Sequence, residues 1–203
     1  MTLPTLKPAG LFIDRPASAI RLRRVILIVA GVAGSGKTTV GALLASLLHW
    51  NFADADSFHS EANVAKMRSG VPLTDEDRLP WLHAICDWMD AQIAAGKSGV
   101  IACSCLRRAH RELLLSGRPA AKMIFLQVDK DVLFQRLANR PGHFFRAQLL
   151  QSQLDVLEAP GPDERVQTVP TEGGPAQTAS RIIALLWPHG APDPARPPAP
   201  GGA

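Results

Sequence analysis

The sequence predicts an α/β fold, a five-stranded parallel sheet with helices on both faces. Three observations lead there. A glycine-rich turn links a short apolar, β-branched run to a helical pattern near residue 37. Strand-length apolar runs then alternate with stretches of helical period along the chain, which makes the crossovers parallel. The ends of the first three strands each carry polar residues, and a parallel sheet collects strand ends along one edge, where ligands bind.

The first strand is the apolar run Val25-Ile26-Leu27-Ile28-Val29-Ala30, of the kind buried on both faces. Gly31-Val32-Ala33-Gly34-Ser35-Gly36-Lys37-Thr38 follows and fits the phosphate-loop pattern G-x-x-x-x-G-K-[ST] at every fixed position. Val40, Leu43, Leu44, Leu47 and Leu48 then recur at helical spacing, so a helix starts near Lys37. Glycines let the backbone turn its N–H groups toward phosphate oxygens, and the helix N-terminus adds partial positive charge. Lys37 can reach the β- and γ-phosphates, and the Thr38 hydroxyl can ligate Mg²⁺. The expected nucleotide-binding set is Gly31, Val32, Ala33, Gly34, Ser35, Gly36, Lys37, Thr38 and Thr39. Strand, loop and helix in this order are the signature of the P-loop NTPase fold; a chance glycine turn would lack both flanks.

The remaining elements follow in order. Asn51-Phe52-Ala53-Asp54 reads as a second strand running into Asp54-Ala55-Asp56. Ser60 can cap a helix to about Arg68, stopped by Gly70. Thr74-Asp75-Glu76-Asp77 is an acidic start signal, and Pro80 suits a first helical turn. Leu82, Ile85, Met89 and Ile93 give that helix its buried stripe, and Gly96 ends it. Gly99 to Cys103 is a third strand. A basic-faced helix from Arg107 to Ser116 closes at Gly117. Met123 to Val128 is a fourth strand. Asp129 caps a helix to about Asn139, which Pro141 stops. Phe144-Phe145 opens another, with Leu149, Leu150, Leu154 and Leu157 on its stripe, broken at Gly161-Pro162. Arg165 to Val169 is a fifth strand, and Pro175 to Trp187 a last helix. This makes one domain over residues 24–187, between a disordered arm (1–23) and a Pro/Gly/Ala tail (188–203).

Composition narrows the class. The chain has 203 residues, enough for one well-buried domain, and is 46% hydrophobic and 20% charged. A formal charge of +4 could suggest nucleic acid, but no basic run or interleaved aromatic platform supports it. A site for anionic ligands accounts for the excess equally well. No apolar run approaches the ~20 residues of a membrane span, and the basic residues before Val25 lie on the wrong side of an apolar segment for a secretory signal. Three cysteines, Cys86, Cys103 and Cys105, are too few for a disulfide framework and point to a reducing, cytoplasmic setting. Cys103-Ser104-Cys105 lacks the companions of a metal site, so these thiols read as inert or site-lining.

Several side chains carry chemistry. Alternate residues of an extended segment point the same way, so Asp54 and Asp56 can both face the cleft. Phosphoryl transfer needs one carboxylate for the acceptor hydroxyl proton and another for Mg²⁺; a solvated acidic turn is the other reading. Arg136 and Arg140, four apart before Pro141-Gly142-His143, suit a mobile lid over about residues 137–150, or equally a solvated helix face. Any of Arg78, Arg107, Arg108 and Arg111 could fork onto an acceptor carboxylate. His59 and His143 are the histidines worth testing.

Taken together, these stretches make the chain resemble gluconokinase of the small, shikimate-kinase-like type. The resemblance is carried by the phosphate loop, by Asp54-Ala55-Asp56-Ser57-Phe58-His59, and by the block from Asn63 through Lys66-Met67 to Arg78. Pro80-Trp81-Leu82, Cys103-Ser104-Cys105-Leu106-Arg107-Arg108, Arg111-Glu112-Leu113-Leu114, Gly142-His143-Phe144-Phe145 and Glu158 to Glu164 extend it, from about residue 25 to 187. It implies ATP- and Mg²⁺-dependent phosphorylation of D-gluconate at the 6-hydroxyl, to 6-phosphogluconate, in a homodimer; the composition adds the expectation of no nucleic-acid partner and no membrane. It assigns Lys37, Asp56 and Arg136 to catalysis, Thr38 and Asp54 to the metal, and Arg136 and Arg140 to the nucleotide. Asp56, His59, Arg78, Ser104 and Arg111 fall to the acceptor, with Arg78 foremost for its carboxylate. The stretch Pro170 to Gly173 should lie by the adenine. Two positions depart from the family pattern, both on the acceptor side: Ser60 where Pro is common and His110 where Tyr is common.

Two other readings stay open at this stage. Another small-molecule kinase of the same fold, such as a shikimate kinase, shares the loop and differs in the acceptor pocket. An ATP-binding regulatory protein is favoured only by the pI of about 9.3.

Overall fold

The computed structural model describes residues 24–138 and 150–190. The expected N-terminal arm, Arg140, nearly all of the expected lid and the tail beyond residue 190 lie outside the described residues.

Five parallel strands form one sheet in the order β2-β3-β1-β4-β5: β1 Ile26–Ala30, β2 Asn51–Asp54, β3 Gly99–Ala102, β4 Ala121–Gln127 and β5 Val166–Pro170. The central strand β1 pairs Ile26 with Gly99 of β3 and with Ala121 of β4. All five of its residues are buried, as the continuous apolar run requires. Its alternate side chains feed two cores. Ile26 and Ile28 pack with Trp81, Leu82, Ile85, Met89 and Leu114, from helices α3 (Asp75–Ala94) and α4 (Arg108–Leu115). Leu27 and Val29 pack with Val40 and Leu44 of α1 (Lys37–Leu48) and with Ala179 and Ile182 of α7 (Gly174–Leu186). Helices therefore cover both faces. A third cluster, beyond the strand ends, joins Val32, Leu106, Leu133 and Leu150. It brings α5 (Lys130–Ala138) and α6 (residues 150–155) against the phosphate loop.

Local signals set most boundaries. Ser60 Oγ accepts from Asn63 N at 3.2 Å and starts α2 (Glu61–Arg68). Thr74 and Asp77 form a reciprocal capping box at the head of α3. Four expectations need correction. Pro80 lies in the second turn of α3, not the first, because the capping box starts the helix at Asp75. Leu47 is 53% exposed, since the core-facing stripe of α1 runs through Val40, Gly41, Leu44, Ala45 and Leu48. The helical run through Leu154 ends at residue 155, before Leu157 and well short of Gly161-Pro162. And Asp56 is not on an extended segment: residues Ala55–Phe58 form a 3₁₀ turn.

Candidate active site

The carboxyl ends of β1, β2 and β3 meet in one cleft. At the end of β1 the loop from Gly31 to Gly36 curls before α1. Gly31 adopts φ +142 with no room for a side chain: a Cβ would meet Ser35 Oγ at 2.7 Å and the Leu126 carbonyl at 3.1 Å. Gly36 caps α1 at φ +95, a left-handed conformation natural to glycine. Gly31 N donates to the Ser104 carbonyl at 3.3 Å, tying the loop to the end of β3. Lys37 Nζ donates to the Val32 carbonyl at 2.9 Å. Burial pushes the Lys37 ammonium below its usual pKa, while Asp56, Cys103 and Asp54 pull it back up. Thr38 and Thr39 open α1 and are exposed at its head.

Asp54 ends β2, and its two oxygens are both used. Oδ2 accepts from Thr38 Oγ1 at 2.7 Å, and Oδ1 accepts from Asp56 N at 3.1 Å. The second bond caps the 3₁₀ turn, so the turn, not strand alternation, sets Asp56 beside Asp54. Asp56 reaches solvent, yet enclosure by the cleft raises its pKa above the ordinary value, and Asp54 raises it further. Lys37 and His59 act in the opposite direction.

His59 stacks on Trp81, with ring centroids 4.6 Å apart and planes 5° from parallel. Trp81 in turn donates Nε1 to the Ala55 carbonyl at 2.6 Å, fixing the stack to the 3₁₀ turn. His59 Nδ1 is buried with no hydrogen-bond partner. Burial holds its pKa below the ordinary value; the Asp56 charge raises it and the Arg78 charge lowers it, so the ring senses both. Arg78 lies 3.6 Å from Asp75 Oδ1, and Arg107 bonds the other Asp75 oxygen. Two guanidinium groups thus share one carboxylate. Arg78 is held below its usual pKa first by burial and then by Arg107. His110, where the family pattern favours Tyr, lies 3.8 Å from the same Asp75.

The structure separates the other expected residues. Arg136 reaches the phosphate loop, its Nη1 3.5 Å from the Gly34 carbonyl. Ser104 follows β3 at the cleft edge and is half-buried. Arg111 does not serve the acceptor pocket. It is fully buried, and its donors are spent on Glu164 (2.7 and 2.8 Å) and on the carbonyls of Cys105, Leu106 and Glu158. Cys103 and Cys105 are buried thiols 3.0 Å apart, and burial pushes the Cys103 thiol well up. One loop contact was not foreseen: Ala33 N donates to Gln153 Oε1 at 2.6 Å. Among the described residues no group of three or more His, Cys, Asp or Glu side chains could hold a metal. No described helix is long and apolar enough to cross a membrane.

Comparison with known proteins decides the family. A shikimate kinase family model matches residues 33–164. A gluconokinase of Gluconobacter oxydans (strain 621H) is 43% identical over 162 residues, covering 80% of this chain and 91% of its own length. The chain belongs to the gluconokinases of the shikimate kinase family. Two solved structures agree. An unliganded sugar kinase from Janibacter sp. HTCC2649 is 44% identical with a TM-score of 0.74, covering 80% of this chain and 94% of that one. A gluconokinase from Sinorhizobium meliloti 1021 is 34% identical with a TM-score of 0.69, covering 80% and 95%. As a member of this family the chain is an ATP-dependent kinase that transfers phosphate to an alcohol. Shikimate kinase of Aquifex aeolicus, 19% identical at a TM-score of 0.50, shares the fold alone.

Proposed function

We propose that the protein transfers the γ-phosphate of ATP to the 6-hydroxyl of D-gluconate, giving 6-phosphogluconate and ADP. The observation that carries this reading is His59, whose ring feels both the Asp56 carboxylate and the Arg78 guanidinium and so marks one cleft that holds the two. An acceptor with a hydroxyl at one end and a carboxylate at the other suits that pairing. Arg78 meets the carboxylate, with His59 and Ser104 on the polyol between. Asp56 accepts or orients the hydroxyl proton at the reacting end. Lys37 exchanges the Val32 carbonyl for phosphate oxygens, and Arg136, already against Gly34, adds charge on the transferring group. The loop amides and the head of α1 hold the polyphosphate. Protein groups do little covalent work here; positioning and charge stabilisation supply the catalysis.

Thr38 and Asp54 would hold Mg²⁺. Their hard oxygen donors, 2.7 Å apart at the head of α1, fit an ion that takes one or two protein oxygens with phosphate and water. When bound there, such an ion would neutralise charge on the polyphosphate. Pro170 to Gly173, at the end of β5, would border the adenine; Arg181 braces this stretch through the Pro170 and Glu172 carbonyls at 3.3 and 2.9 Å. A cytoplasmic homodimer completes the reading.

Coupled ADP release with Mg-ATP against D-gluconate, shikimate and related sugar acids tests it. Turnover confined to gluconate is expected, abolished in Lys37→Ala and lowered by ~10²-fold or more in kcat in Asp56→Asn. Turnover on shikimate instead would keep the phosphate site and discard the acceptor assignment. Full activity in Asp56→Asn would sink the base assignment.

A further inference from the structure

Three consecutive residues of the phosphate loop are each held from outside the loop. Val32 is buried in the apolar cluster with Leu133 of α5 and Leu150 of α6. Ala33 donates its N–H to Gln153 Oε1 of α6 at 2.6 Å. The Gly34 carbonyl faces Arg136 Nη1 of α5 at 3.5 Å. The Ala33 contact is the shortest of the polar ones and joins groups 120 residues apart in sequence.

We propose that Gln153 is a positioning residue for phosphoryl transfer, fixing the first limb of the phosphate loop through the Ala33 amide. A loop built to bind phosphate carries backbone donors that need a fixed direction. A neutral amide oxygen satisfies one of them and sets the peptide plane without adding charge. A carboxylate at the same reach would accept the same bond at least as strongly and would set negative charge beside the polyphosphate. Either group would serve a purely structural bond; only the neutral one holds the amide without adding charge beside the phosphates. Packing of Leu150 against Val32 brings α6 close enough for the short bond, so the apolar contact and the polar one act on adjacent loop residues. The inference rests on the reading of this loop as the ATP site and deepens it.

Two variants test it, Gln153→Glu and Gln153→Met. Calorimetric ATP binding without any acceptor is the primary readout, joined by Tm and by the split between kcat and the KM values. Gln153→Glu keeps the bond, so its Tm stays near the parent's while ATP affinity falls about tenfold or more and recovers partly with salt. Gln153→Met fills the space without an acceptor; kcat/KM for ATP falls about tenfold, the scale of one lost hydrogen bond, with the acceptor KM unchanged. Parent-like ATP affinity in Gln153→Glu would overturn the proposal. So would a parallel fall of Tm, ATP affinity and acceptor KM in both variants, which marks a structural bond only. If Gln153→Met does not fold, Gln153→Ala, read by the same ATP binding, Tm and KM values, takes its place. Because ATP binding is read without acceptor, failure of gluconate turnover would count against the acceptor assignment and leave this test standing.

Discussion

Arg111 and Glu164 face each other in a two-bond ion pair, Nε to Oε2 at 2.7 Å and Nη2 to Oε1 at 2.8 Å, with both side chains almost wholly buried. The remaining Arg111 donors close on three backbone carbonyls, and Glu164 Oε1 also accepts from Gly161 N at 2.9 Å. The pair staples the segment between α6 and β5 to α4. Its geometry also explains why Glu164 sits below the ordinary glutamate pKa: the Arg111 hydrogen bond is the main cause, against the cost of burial.

Removing one partner strands a buried charge, which costs about 3–5 kcal/mol. Arg111→Met and Glu164→Gln should each lower stability on that scale in urea denaturation. The acceptor KM of whatever folded protein remains should match the parent's. A selective rise in that KM with stability intact would return Arg111 to the acceptor pocket.

Asp56 should be a site where function opposes stability. Its folded pKa is raised, by enclosure first and by Asp54 second, so the folded state binds its proton more tightly than the unfolded chain. The protonated form therefore favours folding, and that contribution is lost as pH rises from the ordinary value of 3.8 through the raised folded value. Asp56→Asn should then melt higher than the parent at neutral pH, with the difference closing as pH falls below 3.8. Equal Tm values across the whole range would show that no strain is stored there.

Thr38→Ala removes the hydroxyl that bonds Asp54 and opens α1. The Mg²⁺ concentration for half-maximal turnover should rise roughly tenfold or more, as when an oriented ligand set is disturbed. The KM for the acceptor should hold. Titration of activity with Mg²⁺ at saturating ATP checks it; an unchanged requirement would remove Thr38 from the metal.

Gly31→Ala should damage the loop from within. The added methyl meets Ser35 Oγ and the Leu126 carbonyl in a backbone conformation that side chains rarely adopt. Strain of this kind costs about 1–3 kcal/mol, read as a lower denaturation midpoint together with weaker ATP binding by calorimetry. Ser35→Gly in the same chain should recover part of the loss, since it clears the nearer clash.

The sequence was most legible where cause and effect are local. The strand, loop and first helix appear within a few residues of where periodicity and the glycines place them, and the Thr74 and Ser60 caps start their helices as their side chains dictate. Asp56 shows where a local rule misleads. Alternation along a strand brought both carboxylates to the cleft in principle, but Asp54 caps a 3₁₀ turn and delivers Asp56 by another route. Arg111 and Gln153 show what no local rule holds. The partner of Arg111 lies 53 residues away and that of Gln153 lies 120, so neither the burial of the first nor the reach of the second has a signature in spacing. A basic residue on a helix reads as a surface cation until its carboxylate is found.

The strand order has a further consequence, for how the chain is made. β1 is made before the other four described strands, yet its neighbours begin at Gly99 and Ala121. Gly31 is bonded to the Ser104 carbonyl and crowded by Leu126. The nascent chain therefore emerges with β1 unpaired and its phosphate loop unshaped until the stretch through β4 has been made. Long-range parallel pairing of this kind is slow, and exposed strand edges invite association meanwhile. The loop can take nucleotide only after β3 and β4 have joined β1.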